Sequence, residues 1–176
     1  MEVYNFSNHN SIYNDFLSEL RDVNVQKDRM RFRKNLERLG EISAYEISKK
    51  LKSSKKDIIT PLGTSEMNLT DEEIVLATIL RAGLPLHQGL LNYFDKAENC
   101  FISAYRKHTT SEAFEVEIEY MSSPDLNGKT ILLNDPMLAS GRSMVLAYKA
   151  LLERGSPGKI HVVSVIASKE GVEFVK

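Results

Sequence analysis

One cysteine, no tryptophan and almost no imbalance of charge limit what this chain can be before any motif is considered. Cys100 alone cannot build an intrachain disulfide framework or a cysteine-based zinc cluster, and it reads as a core residue of a protein in a reducing compartment. His108 has no second His or Cys at ligand spacing, so it reads as solvent-exposed rather than metal-binding. Lys plus Arg total 23 against 24 Asp plus Glu, a net charge of -1, which removes the bulk positive field that nucleic acid or an anionic membrane would call for. No apolar run approaches the length of a membrane span and no charged-then-apolar leader opens the sequence, so a cytoplasmic protein is expected. Internal repeats, low-complexity segments and any Ser-His-Asp or Cys-His constellation are missing as well.

What is present suits one well-cored domain: 176 residues, 42% of them hydrophobic. Ile12, Phe16, Leu17 and Leu20 mark a short amphipathic helix with Asn10 or Ser11 available as its cap. A longer helix is predicted from about Asp28 to Leu51 on Phe32, Leu36, Leu39, Ile42, Tyr45 and Ile47. Its first turns carry Arg29, Arg31, Arg33 and Lys34, a cluster that by pattern alone reads as a solvated face. A Lys/Ser-rich turn at Lys52 to Lys56 leads into a short strand at Ile58 and Ile59, stopped by Pro61 and Gly63.

From Ile74 onward strands and helices alternate, which predicts a Rossmann-like, doubly wound, mostly parallel sheet with one antiparallel hairpin. Ile74 to Leu80 is the apolar run of a central parallel strand, Leu84 to Phe94 the helix after it, and Phe101 to Tyr105 the next strand. Phe114 to Tyr120 alternates apolar residues with glutamates, a strand with one wet face. Between these two strands the polar stretch Arg106 to Ala113, with Lys107, His108, Thr109 and Thr110, reads as a mobile hairpin tip. Asn127-Gly128 gives a turn, Gly155 ends a helix, Ile160 to Ile166 makes a further buried strand, and a last helix starts at Lys169.

The most informative stretch is Ile131 to Ser143, ILLNDPMLASGRS. Ile131, Leu132 and Leu133 suit a strand buried on both faces, and Val145, Leu146, Tyr148, Leu151 and Leu152 then recur at helical spacing. Between them Ala139, Ser140, Gly141, Arg142 and Ser143 are small enough, Arg142 excepted, for a tight turn whose N–H groups converge on one anion. Asp135, four residues before that loop, is placed to accept hydrogen bonds from sugar hydroxyls attached to a bound phosphate, a spacing that suits a ribose 5-phosphate. A capped helix after an ordinary strand and turn fits the same spacing. Arg81, at the carboxyl end of the first core strand, is placed to offer its guanidinium fork to a diphosphate while Gly83 admits the backbone; a turn arginine in solvent fits equally.

The whole string from Ile131 to Ser143 resembles the phosphoribosyl-diphosphate (PRPP) motif of type I phosphoribosyltransferases, in the Asp-Pro-Met-Leu-Ala version typical of uracil phosphoribosyltransferases. Ile79-Leu80-Arg81-Ala82-Gly83-Leu84 resembles the diphosphate loop of that family, and Tyr105-Arg106 its Tyr-Arg pair on a loop that folds over PRPP. Leu20-Arg21-Asp22, Phe32-Arg33, Ala44-Tyr45-Glu46 and Thr60-Pro61-Leu62-Gly63 are similar to family segments in the same order, so the likeness runs from about Leu20 to the last residue. Three positions depart from the pattern. Asn134 replaces an apolar residue, Ser140 a Thr whose hydroxyl it keeps, and Arg142 a Gly that would permit positive φ; none removes the cradle, and the bulk of Arg142 leaves the loop's detailed shape open.

The resemblance implies the reaction of uracil with PRPP to give UMP and diphosphate. It assigns Asp135, Arg81 and Arg106 to the chemistry and Pro136, Met137, Leu138, Ala139, Ser140, Gly141, Arg142 and Ser143, with those three, to PRPP binding. Mg²⁺ is expected as the PRPP complex and no protein metal site is expected. The resemblance further implies a homo-oligomer, dimer or higher, with GTP as an activator and no nucleic-acid or membrane partner. Family members continue into a strand and loop with a Gly-Asp-Ala segment that hold the uracil ring. A single phosphoribosyltransferase domain lacking that base-binding segment is therefore expected over residues 1–176. A phosphoribosyltransferase for another base, and a non-catalytic PRPP- or nucleotide-binding regulatory module, are the alternatives.

Overall fold

Ser11 opens the first helix, α1 (Ile12–Arg21), by accepting the Tyr13 N–H at 3.3 Å, and Asp28 caps α2 (Arg29–Ser48) by accepting the N–H groups of Met30 and Arg31, both at 3.0 Å. The computed structural model describes residues 1–108 and 114–176, without the side chains of 105–117. In α1 the buried residues are Tyr13, Leu17 and Leu20, while Ile12, expected on the apolar face, is exposed. In α2 Leu36, Leu39, Ala44 and Ile47 face inward, but Tyr45 lies outside with the Lys49 ammonium 4.3 Å from its ring centre.

The Lys/Ser-rich stretch expected as a turn is instead a strand. β1 (Ser53–Thr60) pairs antiparallel with β2 (Gly63–Thr70) in a hairpin separate from the main sheet. Both faces of this hairpin are largely solvated, so it carries no apolar alternation for a sequence reading to detect. Cross-strand ion pairs, Lys55 with Glu66 at 2.7 Å and Lys56 with Asp71 at 2.9 Å, run along it. Its tip presents Ile59 and Leu62, 91% and 100% exposed.

The main sheet has the order β5-β4-β3-β6-β8, built from β3 (Ile74–Leu80), β4 (Glu98–His108), β5 (Phe114–Ser122), β6 (Thr130–Asn134) and β8 (Lys159–Val163). β3 is parallel to both β4 and β6, β6 is parallel to β8, and only β5 runs antiparallel, against β4. The period of two sorts the side chains between layers. Val75, Ala77, Ile79, Ile131 and Leu133 face Met144, Ala147 and Leu151 of α4 (Arg142–Leu152). Leu76 and Leu132 face Leu90 of α3 (Leu84–Tyr93) and Ala44 and Ile47 of α2. Helices thus cover both faces, as the alternation predicts. Cys100 is fully buried in the first of these layers, where desolvation pushes its thiol above the ordinary range.

Two details differ from expectation. The stretch Ile160 to Ile166 is not one strand: β8 ends at Val163, and β9 (Ile166–Ala167) pairs instead with β7 (Met137–Leu138) before α5 (Lys169–Val175) begins. In α4 the inward set is Met144, Ala147 and Leu151, while Tyr148 and Leu152 stand exposed, because the helix meets the sheet on a narrower face than its apolar residues span.

Leu39, fully buried between α2 and the N-terminal helix, carries this packing. Leu39→Ala is expected to cost about 3 kcal/mol in urea denaturation, whereas Leu62→Ser at the solvated hairpin tip should change stability by less than about 0.5 kcal/mol.

Candidate active site

Parallel pairing of β3 with β6, with Thr78 opposite Asn134, ends both strands at the same edge and brings two loops side by side. The chain crosses from β5 on one side of β3 to β6 on the other, so this edge is the point where strand order reverses and ligands collect in open α/β sheets.

The first loop is Arg81-Ala82-Gly83, entered through a cis peptide between Leu80 and Arg81. Arg81 and Ala82 are exposed, while Gly83 is buried and starts α3 by bonding its carbonyl to the His87 N–H at 2.9 Å. A Cβ on Gly83 would overlap the Thr78 hydroxyl and lie 2.7 Å from the Ile79 carbonyl oxygen, so no larger residue fits the turn. His87 itself points into the core, its Nε2 2.8 Å from Asn99 Oδ1, where burial lowers its pKa and keeps the ring neutral.

The second loop follows β6. Asp135 is half-buried; its N–H donates to Val163 O at 3.1 Å and its Oδ1 accepts the Met137 N–H at 3.3 Å. Burial pushes the carboxyl up from the ordinary carboxylate range, and that one long backbone bond offsets the shift only in part. Pro136 and Leu138 are buried and shape the loop from below, whereas Met137, Ala139, Ser140 and Arg142 are exposed. Gly141 has φ 78° and ψ -9°, the left-handed conformation, immediately before α4. Arg142 is the first residue of α4, and no residue other than glycine has positive φ among those described. This settles the loop's shape at Arg142: the left-handed turn falls on Gly141, and an arginine in the first turn of a helix needs no special backbone. From Ser140 to Met144 the backbone N–H groups meet no acceptor among the described residues, and they crowd the start of α4. Such unpaired N–H groups at a helix start hold an anion.

Asn134, expected to be apolar by resemblance, is fully buried and bridges the two loops' strands. Its Oδ1 accepts the Thr78 hydroxyl at 2.9 Å and its Nδ2 donates to Ala77 O at 2.8 Å. A buried amide with both ends bonded is inexpensive, and here it locks β6 to β3 directly beneath the site. Arg106 lies on β4 opposite Val116 of β5; its side chain, and Thr109 and Thr110 of the predicted loop, lie outside the described residues. The structure thus joins Arg81, Asp135 and the loop Pro136 to Ser143 at one edge. Among the described residues no group of three His, Cys, Asp or Glu is arranged to hold a metal ion.

A model of the uracil phosphoribosyltransferase family matches residues 7–176. Along all 176 residues the chain is 52% identical to a uracil phosphoribosyltransferase of Porphyromonas gingivalis, spanning 82% of that protein. The chain belongs to the uracil phosphoribosyltransferase family. A solved structure from Aquifex aeolicus, 31% identical, superposes with a TM-score of 0.83 over 95% of this chain and 78% of that one. A hypoxanthine phosphoribosyltransferase of Staphylococcus aureus, 15% identical with a TM-score of 0.53 over 73% of this chain and 61% of that one, shares the fold alone. The sheet is thus the one shared by uracil and purine phosphoribosyltransferases, and in this uracil phosphoribosyltransferase family member the two loops stand at its carboxyl edge.

Asp135 supplies a pH test. Because its folded pKa is raised, the unfolded chain releases that proton first, so stability falls as pH rises from the ordinary carboxylate pKa through the folded one. Asp135→Asn should raise the melting temperature of the ligand-free protein at neutral pH, with the gain shrinking to nothing below the ordinary carboxylate range; a difference independent of pH would remove the desolvation account.

Proposed function

We propose that this protein transfers the 5-phosphoribosyl group from PRPP to uracil, releasing UMP and diphosphate. The observation that carries the reading is the junction of an anion-binding helix start, a half-buried carboxylate and an arginine turn on two adjacent parallel strands. In this reading the N–H groups from Ser140 to Met144 take the 5′-phosphate, as helix N-termini take anions, and Asp135 accepts the ribose hydroxyls. Arg81 and Arg106 meet the diphosphate, Arg106 from the loop that folds over PRPP in the family.

The chemistry asks for no protein nucleophile. The bond from the anomeric carbon to the diphosphate oxygen breaks, its electron pair leaving on diphosphate, while a ring nitrogen of uracil bonds to that carbon and passes its proton to water or to the released diphosphate. Positive charge develops on the ribose between these events. Groups that hold the ribose still and neutralise the departing diphosphate therefore lower the barrier, and an arginine fork and a fixed anion cradle are of that kind. Mg²⁺ bound to the diphosphate would neutralise charge on the leaving group, and this chain would hold that complex through the diphosphate and ribose contacts of Arg81, Arg106 and Asp135 rather than through a metal site of its own.

Uracil is preferred over another base on the strength of the 52% identity to the Porphyromonas gingivalis protein. Near-neutral net charge speaks against the regulatory alternative that would bind RNA. The proposal extends to one domain over residues 1–176, a homo-oligomer, activation by GTP, and a cytoplasmic setting.

Titration calorimetry with PRPP and a radiolabelled-uracil assay on the same preparation test the reading. Asp135→Ala should weaken PRPP binding by about 2 kcal/mol, near thirtyfold, with the fold intact. Arg81→Ala and Arg106→Ala should lower turnover or raise the KM for PRPP, and a pair with unchanged values for both would refute their roles. Arg142→Gly should change PRPP affinity by less than about tenfold; a larger loss would make Arg142 a phosphate ligand.

A further inference from the structure

An anion cradle works only while its carbonyl oxygens point away from the anion, and in this chain the carbonyls at the loop's entrance are held by the segment that follows β8. Pro136 O accepts the N–H groups of Val165 and Ile166 at 3.2 and 3.0 Å. Leu138 O accepts the Ser168 N–H at 2.9 Å, and Ala139 O accepts the Ser168 hydroxyl at 2.5 Å. The same hydroxyl oxygen accepts the Gly171 N–H at 2.8 Å and so caps α5. A Cβ on Gly171 would overlap the Ala139 oxygen and lie 2.8 Å from the Leu138 oxygen, so only glycine lets α5 approach this closely. α5 also closes on Gly141, where an added Cβ would meet Phe174 and Val175 at 3.0 Å.

We infer that Ser168 and Gly171 are positioning residues that aim the PRPP cradle, an inference that rests on the proposed function above. The peptide unit is planar and trans, so a carbonyl and the N–H of the following residue point in opposite directions. Tying the Leu138 and Ala139 carbonyls to Ser168 therefore turns the N–H groups of Ala139 and Ser140 away from α5, toward the loop's open side. Without the tie those two peptides can rotate, and a carbonyl facing a phosphate repels it. Ser168 touches no substrate in this account; it acts through the loop's backbone.

The test compares the unmodified chain with Ser168→Ala, Ser168→Thr and Gly171→Ala, measuring PRPP affinity, diphosphate affinity and melting temperature for each. Ser168→Ala should weaken PRPP roughly fivefold, the scale of one hydrogen bond, while diphosphate, which meets the Arg81 loop instead, binds as before. Ser168→Thr keeps the hydroxyl and should restore PRPP affinity. Gly171→Ala should weaken PRPP by more than Ser168→Ala, again sparing diphosphate. Equal PRPP affinity in Ser168→Ala and the unmodified chain would overturn the inference and leave the proposed function standing. So would parallel losses of PRPP, diphosphate and melting temperature, which mark a merely structural role. An unmodified chain that does not bind PRPP would overturn the proposed function and this inference with it.

Discussion

The parallel pairing of β3 and β6 is the constraint on which the site depends, because two parallel neighbours must end at the same edge and their following loops must then share one crevice. Asn134 makes that pairing specific at its last step. Its amide uses the Thr78 hydroxyl and the Ala77 carbonyl, and the turn at Gly83 passes so close to Thr78 that the arginine loop and the cradle rest on the same pair of side chains. A fully desolvated amide left without either partner would cost on the order of 1–3 kcal/mol, so register and site geometry are coupled.

The electrostatics of the crevice run against stability and toward binding. Asp135 is desolvated and among the described residues meets one backbone donor, at 3.3 Å, so its charge is under-compensated there. Sugar hydroxyls would supply the missing donors. The N–H groups at the start of α4 are likewise without an acceptor among the described residues. In the proposed function both features cost the empty protein something that an anionic, hydroxylated ligand would return, which is the usual relation between a binding site and the fold that carries it.

Much of this was legible in the sequence where burial imposes a pattern. Ile74–Leu80 and the strand at Ile131 to Leu133 are continuous apolar runs because helices cover both faces, and each was readable as a central strand for that reason. The hairpin of β1 and β2 is only half legible, since a strand pair with two wet faces leaves no periodic signature and its Lys/Ser composition imitates a turn. In the sequence β9 reads as a continuation of β8, because Val165 and Ile166 extend the apolar run past the point where the chain leaves the main sheet. At the site, residue type and spacing put Asp135, Arg81 and Gly141 at strand ends but fit a helix cap and a solvent-exposed turn arginine equally, and the family resemblance is what separates the readings. Asn134 showed only as a departure from a resembling pattern, and Ser168 and Gly171 gave no signal beyond a helix cap, because their partners are backbone carbonyls that lie distant in sequence.

Amide hydrogen exchange with and without PRPP tests the central claim most directly, since it reads the backbone groups that are said to bind. The account requires slowed exchange on PRPP addition at the amides from Ser140 to Met144 and around Gly83, with the β1–β2 hairpin unchanged. Unaltered exchange from Ser140 to Met144, with protection appearing elsewhere such as on the basic face of α2, would contradict it.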